Sequence, residues 1–227
     1  MDIVNSPYET LRQRIDAAAK RAGRPVRLLA VSKTQPAAAI REVAAAGQRA
    51  FGENYVQEGL AKQRELAAPA LDLEWHMIGP LQSNKCRDVA QHFDWLQSLD
   101  REKLVAPLHR FRAVDAAPLN VLIQVNVDDE ASKSGCAPAE VLGLAQKIAA
   151  APRLALRGLM AIPDPAPDRD KRRRAFRRMR ELFDELRVTY RGVDTLSMGM
   201  SDDFELAIEE GATMVRIGTA VFGARTT

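Results

Sequence analysis

Hydrophobic residues along the chain alternate between short continuous runs and longer stretches in which they recur at helical spacing. The continuous runs predict strands that are covered on both faces, and the helical spacing predicts amphipathic helices. The first helix is predicted over residues 8–22, where Leu11 and Ile15 share one face and Gly23 ends the segment. The first strand follows at residues 27–33.

The same alternation continues to the end of the chain. Seven further strands are predicted at residues 49–53, 73–79, 94–99, 120–126, 154–162, 195–199 and 213–218. A helix is predicted in each interval, at 36–46, 55–68, 83–92, 101–111, 138–150, 168–190 and 202–210. Strict alternation favours a parallel sheet, and eight strands in a chain of this length indicate an α/β fold, a closed (β/α)8 barrel of the TIM type with an extra N-terminal helix. An open, doubly wound sheet is the alternative. The pattern shows no linker, so residues 1–227 are predicted to form a single domain.

Composition narrows the classes of protein that this chain can represent. Hydrophobic residues make up 46% of the 227 positions, which is enough for a large core. The 33 basic and 30 acidic residues leave a net charge of +3, which does not by itself indicate a nucleic-acid or membrane partner. The N-terminal segment lacks a secretory pattern, and no apolar run reaches the roughly 20 residues that a membrane helix needs. We therefore expect a cytoplasmic protein.

The two cysteines, Cys86 and Cys136, do not form a CxxC motif. Neither a disulfide framework nor a zinc site is expected, and we predict no metal ligand. Cys136 lies near a predicted helix start, a position that can lower the pKa of a thiol, but we assign it no function.

Polar residues follow the predicted strands at their carboxyl ends, where the active sites of such barrels lie. They include Lys33, Asn54, His76, Ser201, Arg216, Gly218 and Thr219. The glycines and hydroxyls after the last two strands suit phosphate binding, because backbone N–H groups can approach an anion closely there. An equally good interpretation is that Ser201 only caps a helix.

Lys33 ends the apolar run of the first strand, and Arg216 lies on the last strand. A lysine in a partly desolvated site has a lowered pKa, and its neutral amine can attack an aldehyde. An arginine can meet a pyridine nitrogen. With the phosphate site, these groups suit pyridoxal phosphate (PLP). The alternatives are a surface lysine at position 33 and an ion pair between Arg216 and a barrel glutamate.

Six segments of the chain resemble the pyridoxal phosphate homeostasis protein family, whose barrel is that of the alanine racemase N-terminal domain. They are AVSKTQP (30–36), FGENYVQE (51–58), WHMIGPLQSNK (75–85), SKSG (132–135), LSMGMSDDFELAIEEG (196–211) and VRIGTAVFG (215–223). The resemblance covers nearly the whole chain, and WHMIGPLQSNK is its most specific segment.

The resemblance also implies roles for individual residues. Lys33 would form the Schiff base, Arg216 would contact the pyridine nitrogen, and Asn54 and His76 would line the pocket. The phosphate would be bound by Ser201, Gly218 and Thr219. Lys133 matches a lysine implicated in secondary PLP attachment or transfer, and a solvated loop lysine is the alternative.

The function that the resemblance implies is to hold PLP as a lysine imine and to regulate vitamin B6 and amino-acid homeostasis, without established catalytic turnover. An arginine at the pyridine nitrogen weakens the ring as an electron sink, and only nine residues follow Gly218, so we expect no second domain with further acid–base groups. PLP-dependent apo-enzymes are candidate partners, and a monomer is expected. A low-activity PLP-dependent racemase that uses Lys33 as its base is the alternative.

A basic segment at residues 169–180 raises a third hypothesis, binding to nucleic acid or to an acidic partner. However, Phe176, Met179, Phe183 and Leu186 recur at helical spacing and predict one buried face. The arginines would then occupy the solvated side of a helix, and no nucleic-acid binding is expected.

Overall fold

The structure, a computed structural model, describes residues 6–67, 71–128, 134–164 and 168–223. Within these ranges eight parallel strands close into a barrel in chain order, and the last strand pairs with the first. The strands are β1 (Arg27–Val31), β2 (Ala50–Glu53), β3 (Glu74–Met77), β4 (Trp95–Leu99), β5 (Leu119–Gln124), β6 (Leu154–Met160), β7 (Thr195–Ser197) and β8 (Met214–Ile217). The predicted barrel is confirmed, and the open sheet is wrong.

Helices connect the strands around the outside of the barrel. They are α1 (Pro7–Ala22), α2 (Ala37–Ala45), α3 (Val56–Glu65), α4 (Cys86–His92), α5 (Val105–Phe111), α6 (Val141–Ala149), α7 (Arg169–Thr189), α8 (Phe204–Glu209) and α9 (Thr219–Phe222). The extra N-terminal helix α1 begins at a capping box, in which the Glu9 N–H donates to Ser6 Oγ and the Ser6 N–H donates to the Glu9 carboxylate. It ends at Gly23, whose left-handed conformation suits glycine.

The strands bury both faces, because successive side chains point alternately to the helices and to the barrel interior. Outward-facing residues such as Leu28 and Phe51 join one large cluster with the helices. Inward-facing residues form two smaller clusters. One contains Leu29, Ala50, Ile78 and Met214, and the other contains Trp95, Leu122 and Met160. The interior is therefore packed, and open space for a ligand is left at the carboxyl ends of the strands.

The basic segment lies on α7 and has the predicted buried face, which includes Phe176 and Met179. Several of its arginines contact carboxylates on the neighbouring helix α8 and just beyond it. Arg177 Nε lies 2.9 Å from Glu210 Oε2, and Arg173 contacts both Glu209 and Glu210. These arginines belong to a solvated, ion-paired helix face.

Across the described ranges, none of the helices combines the length and the apolar character that crossing a bilayer requires.

Candidate functional site

Two adjoining cavities open at the carboxyl ends of the barrel strands. The first, of about 290 Å³, is lined by Lys33, Asn54, Gln124 and Arg216 together with apolar side chains that include Val31, Ile78, Ile162 and Met200. The second, of about 220 Å³, is lined by Lys33, Ser201, Arg216, Gly218 and Thr219, among others. Lys33 and Arg216 line both cavities, so a single ligand can extend from one cavity into the other while contacting both side chains.

The structure brings together six of the residues that the sequence singled out. These are Lys33, Asn54, Ser201, Arg216, Gly218 and Thr219. It does not bring His76 to either cavity. The His76 ring is completely buried inside the barrel, stacked on Trp95 with 5.1 Å between ring centroids. Ile78, two residues further along the chain, takes the rim position instead. Lys133 lies outside the described residues, and its role stays a prediction.

Lys33 lies in the turn after β1, and both of its neighbours are held by helix α3. Lys62 Nζ donates to the carbonyl oxygen of Ser32 over 2.7 Å, and the Thr34 N–H donates to Glu58 Oε1 over 2.5 Å. Thr34 has a φ of 64°, a left-handed conformation that costs an L-residue about 1–2 kcal/mol. Contacts on either side of Lys33 thus stabilise a turn that directs its side chain to the cavity.

These contacts belong to a largely buried cluster, which we call the lysine-loop network: Ser32, Glu53, Glu58 and Lys62. Lys62 Nζ lies 2.8 Å from Glu53 Oε1 and 2.6 Å from Glu58 Oε1, and Ser32 Oγ donates to Glu53 Oε1. Burial raises the pKa of Glu53, although the hydrogen bonds from Lys62 and Ser32 act in the opposite direction. Lys62 was not predicted as a member of the site. The available signal was the spacing of Glu58 and Lys62, which places both on one face of α3.

Arg216 forms the floor of both cavities and is only 4% exposed. Its Nη1 donates to the carbonyl oxygen and to Oγ of Ser197, each over 2.8 Å, and its Nη2 donates to the carbonyl oxygen of Ala161 over 2.8 Å. These partners are neutral oxygens, so the expected alternative of an ion pair with a barrel glutamate is wrong. Its Nε and the second hydrogen of Nη2 have no acceptor within the described part of the chain.

Arg216 remains charged despite its burial. Desolvation lowers its pKa to about 10, and the nearby Asp203 carboxylate acts in the opposite direction. At neutral pH the guanidinium is therefore protonated. A buried cation with unused N–H donors therefore lines both cavities.

The second cavity is formed by the turns that follow β7 and β8. Gly199 has a φ of 94°, and a Cβ there would lie 2.6 Å from the Cβ of Ala207, so the turn before Ser201 requires glycine. Helix α8 begins at Phe204 with Asp203 at its N-cap position. The interpretation of Ser201 as a helix cap is therefore wrong, and its side chain is left to the cavity.

The two acidic residues after Ser201 lie away from this cavity. Asp203 Oδ1 accepts from the Met200 N–H over 2.7 Å, and Asp203 Oδ2 lies 3.4 Å from Arg172. Asp202 lines a separate cavity together with Arg14 and Arg169. The second cavity is thus lined by hydroxyl groups, glycine backbone and two cationic side chains, without a carboxylate among its described lining residues.

The two cysteines are both free and buried. Burial raises the pKa of Cys136 to about 12, which is opposite to the lowering that a helix start can cause. Among the described residues, no group of histidine, cysteine and carboxylate side chains has an arrangement that could hold a metal ion.

Comparison with known sequences first defines the class of protein. The family described as "Alanine racemase, N-terminal domain" matches residues 8–226, which is nearly the whole chain. This match agrees with the barrel fold.

More similar relatives narrow the class to one family. The chain is 59% identical over 215 residues to the pyridoxal phosphate homeostasis protein of Pseudomonas aeruginosa, with 93% of this chain and 91% of that protein covered. It is 54% identical over 219 residues to the protein of the same name from Escherichia coli K12, with 95% and 94% covered. The structure of PipY from Synechococcus elongatus with PLP bound is 40% identical and has a TM-score of 0.77, with 91% of this chain and 98% of that chain covered. The chain belongs to the pyridoxal phosphate homeostasis protein family, as its motifs predicted.

Proposed function

We propose that this protein binds PLP in the two adjoining cavities, attached to Lys33 as a Schiff base, and that it acts in PLP homeostasis. The related proteins carry that name, and PipY, a relative of similar length, has been solved with PLP bound. When bound, PLP supplies an aldehyde that condenses with an amine, and a pyridine ring that can withdraw electrons.

The observation that carries the proposal is that Lys33 and Arg216 line both cavities. An amine at the rim suits the aldehyde, and the unused donors of Arg216 suit the pyridine nitrogen.

The other lining residues suit the remaining parts of PLP. The hydroxyls of Ser201 and Thr219 and the backbone at Gly218 suit the phosphate, and Asn54 lines the first cavity, which suits the ring. Apolar side chains such as Ile78 offer walls for a flat ring. The residues present therefore fit the cofactor.

A binding role is favoured over turnover by the ionisable groups at the cavities. Among the described lining residues, Lys33 and Arg216 are the only side chains that carry an ionisable group. Arg216 stays protonated, so it neither acts as a base nor gives the pyridine nitrogen a full proton. Acid–base chemistry on both faces of a substrate would need a second positioned group. These features support a protein that holds and releases PLP.

We further propose that the protein delivers PLP to PLP-dependent apo-enzymes as a monomer in the cytoplasm, with no nucleic-acid partner. Lys133 is the candidate for a secondary attachment point during such transfer. Mixing PLP-loaded protein with an apo-enzyme in the presence of an excess of a scavenger of free PLP tests direct transfer. Activation of the apo-enzyme that persists with the scavenger supports the proposal, and activation that disappears contradicts it.

Borohydride trapping tests the attachment site directly. Protein incubated with PLP and then reduced should carry one stable adduct on the peptide that contains Lys33, measured by peptide mass mapping. Lys33→Arg should lose that adduct, whereas Lys85→Arg, which changes another half-buried lysine, should keep it. Protein that takes up no PLP, or a main adduct on the peptide with Lys133, would contradict the assignment.

Amino-acid α-proton exchange in heavy water separates the binding role from the racemase alternative. The PLP-loaded protein should show only slow exchange that does not saturate with amino-acid concentration. Fast, saturable exchange that is lost in Lys33→Ala would contradict the non-enzymatic role and support a racemase. The PLP content of each sample, measured by absorbance, is the control.

A further inference from the structure

A continuous path of hydrogen bonds runs through the barrel interior below Arg216. Arg216 Nη1 donates to Ser197 Oγ over 2.8 Å, and Ser197 Oγ donates to Gln97 Oε1 over 2.7 Å. Gln97 Nε2 lies 2.9 Å from His76 Nδ1, and His76 Nε2 lies 2.6 Å from Glu74 Oε1. We call these five residues the barrel relay. Four strands, β8, β7, β4 and β3, contribute its members, and the three middle side chains are essentially inaccessible to solvent.

The direction of each hydrogen bond follows from the top of the relay. A guanidinium has only N–H donors, so the Ser197 hydroxyl must accept from Arg216 and donate its own hydrogen to Gln97 Oε1. The amide N–H group of Gln97 then faces His76 Nδ1, which must carry a lone pair. The ring hydrogen of His76 therefore lies on Nε2 and is donated to Glu74.

The bottom of the relay is consistent with this direction. Glu74 also accepts from Arg27 Nη2 over 2.6 Å. Burial alone would raise the pKa of Glu74, but its interactions with His76 and Arg27 lower it to about 2. It is thus an acceptor-only carboxylate at neutral pH. Burial lowers the pKa of His76, and Glu74 acts in the opposite direction. The lowered pKa favours the neutral ring.

We propose that Gln97 is a positioning residue for the cofactor ring. By accepting the Ser197 hydrogen, it keeps a lone pair of Ser197 Oγ directed at Arg216 and so holds the guanidinium as a donor to the pyridine nitrogen. Gln97 does not line either cavity and acts through Ser197. The inference rests on the proposed function, because the pyridine nitrogen is the group that Arg216 is held to meet.

The competing explanation is that Gln97 only fills the barrel interior. Loss of a filling residue weakens the fold and lowers the affinity for any ring by the same factor. Loss of a positioning residue lowers only the part of the binding free energy that the ring nitrogen contributes. The two explanations are therefore separated by comparing PLP with deazapyridoxal phosphate, in which a C–H group replaces the ring nitrogen.

The measured quantity is the ratio of the Kd for deazapyridoxal phosphate to the Kd for PLP. The wild-type protein should prefer PLP by about tenfold or more, as expected for a hydrogen bond with a charged donor. Gln97→Met keeps a similar shape but removes the amide hydrogen bonds to Ser197, His76 and Met214 Sδ, and the ratio should fall toward one. Gln97→Glu should keep most of the preference, because a carboxylate can still accept from Ser197 while His76 takes up a proton to face it.

Gln48→Met is the matched control. Gln48 is also a buried glutamine, and its Nε2 donates to the carbonyl oxygens of Leu28 and Ala50, away from both cavities. This variant should lose stability without a change in the ratio. If Gln97→Met does not fold, Ser197→Ala is a smaller change that removes the Oγ acceptor of Arg216 itself, and it should also lower the ratio.

Distinct outcomes overturn the inference and the proposed function. A wild-type protein that binds no PLP overturns the proposed function. Strong PLP binding with no preference over the deaza analogue overturns the contact between Arg216 and the ring nitrogen, and the inference with it. A full preference that survives in both Gln97→Met and Ser197→Ala overturns the positioning role of Gln97 alone.

Discussion

The lysine-loop network behind Lys33 places three ionisable side chains in direct contact, whereas the barrel relay below Arg216 has ionised groups only at its two ends. Lys62 contacts Glu53, which is fully buried, and Glu58, which is partly exposed. Between Arg216 and Glu74, by contrast, the relay passes through the neutral groups of Ser197, Gln97 and His76. The two residues that line both cavities, Lys33 and Arg216, are thus supported by different kinds of interaction.

The difference concerns what happens when one member is lost. A buried ion pair gains little over a well-packed apolar core, but removal of one partner leaves the other charge buried and unpaired. In a relay of neutral groups, removal of one hydrogen bond costs less unfolding free energy. The function of the relay depends on the direction in which its hydrogens are donated. We expect substitutions in the lysine-loop network to act mainly on stability and those in the relay to act mainly on ring recognition.

The largest expected effect is that of Lys62→Met. It leaves Glu53 buried without its cation, which should cost about 3–5 kcal/mol of unfolding free energy, measured by urea denaturation. Lys147→Met is the control, because Lys147 and its partner Glu102 are both more than half exposed. That change should cost less than about 1 kcal/mol. Similar losses for the two variants would show that the buried cluster is not held by charge.

The two networks should respond to pH in opposite directions, because the pKa of Glu74 is lowered and the pKa of Glu53 is raised. The pKa of Glu74 is lowered from 4.5 to about 2 in the folded protein, so its stabilising contribution is present above pH 4.5 and is lost as the pH falls toward 2. The contribution is on the order of 2 kcal/mol, allowing for solvent screening at a side chain that is 31% exposed. Glu74→Gln should therefore flatten the loss of stability between these two pH values.

Glu53→Gln is the comparison for that experiment. Burial raises the pKa of Glu53 above 4.5, so its contribution is present below pH 4.5 and is lost as the pH rises through the raised value. The substitution should reduce the loss of stability with rising pH. It should leave the loss of stability below pH 4.5 almost unchanged. Unfolding curves recorded at a series of pH values measure both variants. Shifts in the same direction for the two variants would contradict the contrast.

The smallest expected effect concerns the backbone next to Lys33. Thr34→Gly removes the side chain from a residue with φ of 64° and should stabilise the protein by about 0.5–1 kcal/mol, after the greater freedom of glycine in the unfolded chain is subtracted. Thr34→Ala keeps the Cβ and should change stability little. Thermal unfolding of both variants tests this. A loss of stability in Thr34→Gly would mean that the turn is not strained.

The two networks also differ in how far the sequence could reveal them. Ser32 to Lys62 is a short stretch in which Glu58 and Lys62 share a helix face, so their proximity follows from helical spacing. The relay joins residues from position 74 to position 216. Strand alternation predicts only whether a residue such as Gln97 faces inward or outward. It does not predict which side chain it meets.

The predictions for particular residues were wrong for the same reason, because the sequence does not show which side chains a residue meets. His76 is polar and close to a strand end, which suggested a pocket residue, but strand alternation and depth place its ring inside the barrel. Ser201 precedes a helix by a distance that also suits a cap, and only the observed start of α8 assigns that position to Asp203. Ile162 and Met200, which line the first cavity, were not predicted, because they come from separate loops.

The sequence by itself determined the order of strands and helices, the barrel class, the position of Lys33 at a strand end and the family of the protein. These features depend on local periodicity and on contiguous motifs. The tertiary structure decided that Lys33 and Arg216 share two cavities, that Lys62 supports the lysine turn, and that Gln97 lies beneath Arg216. Those relations depend on barrel closure, which brings β8 beside β1 and directs inward-facing side chains from distant strands into one interior.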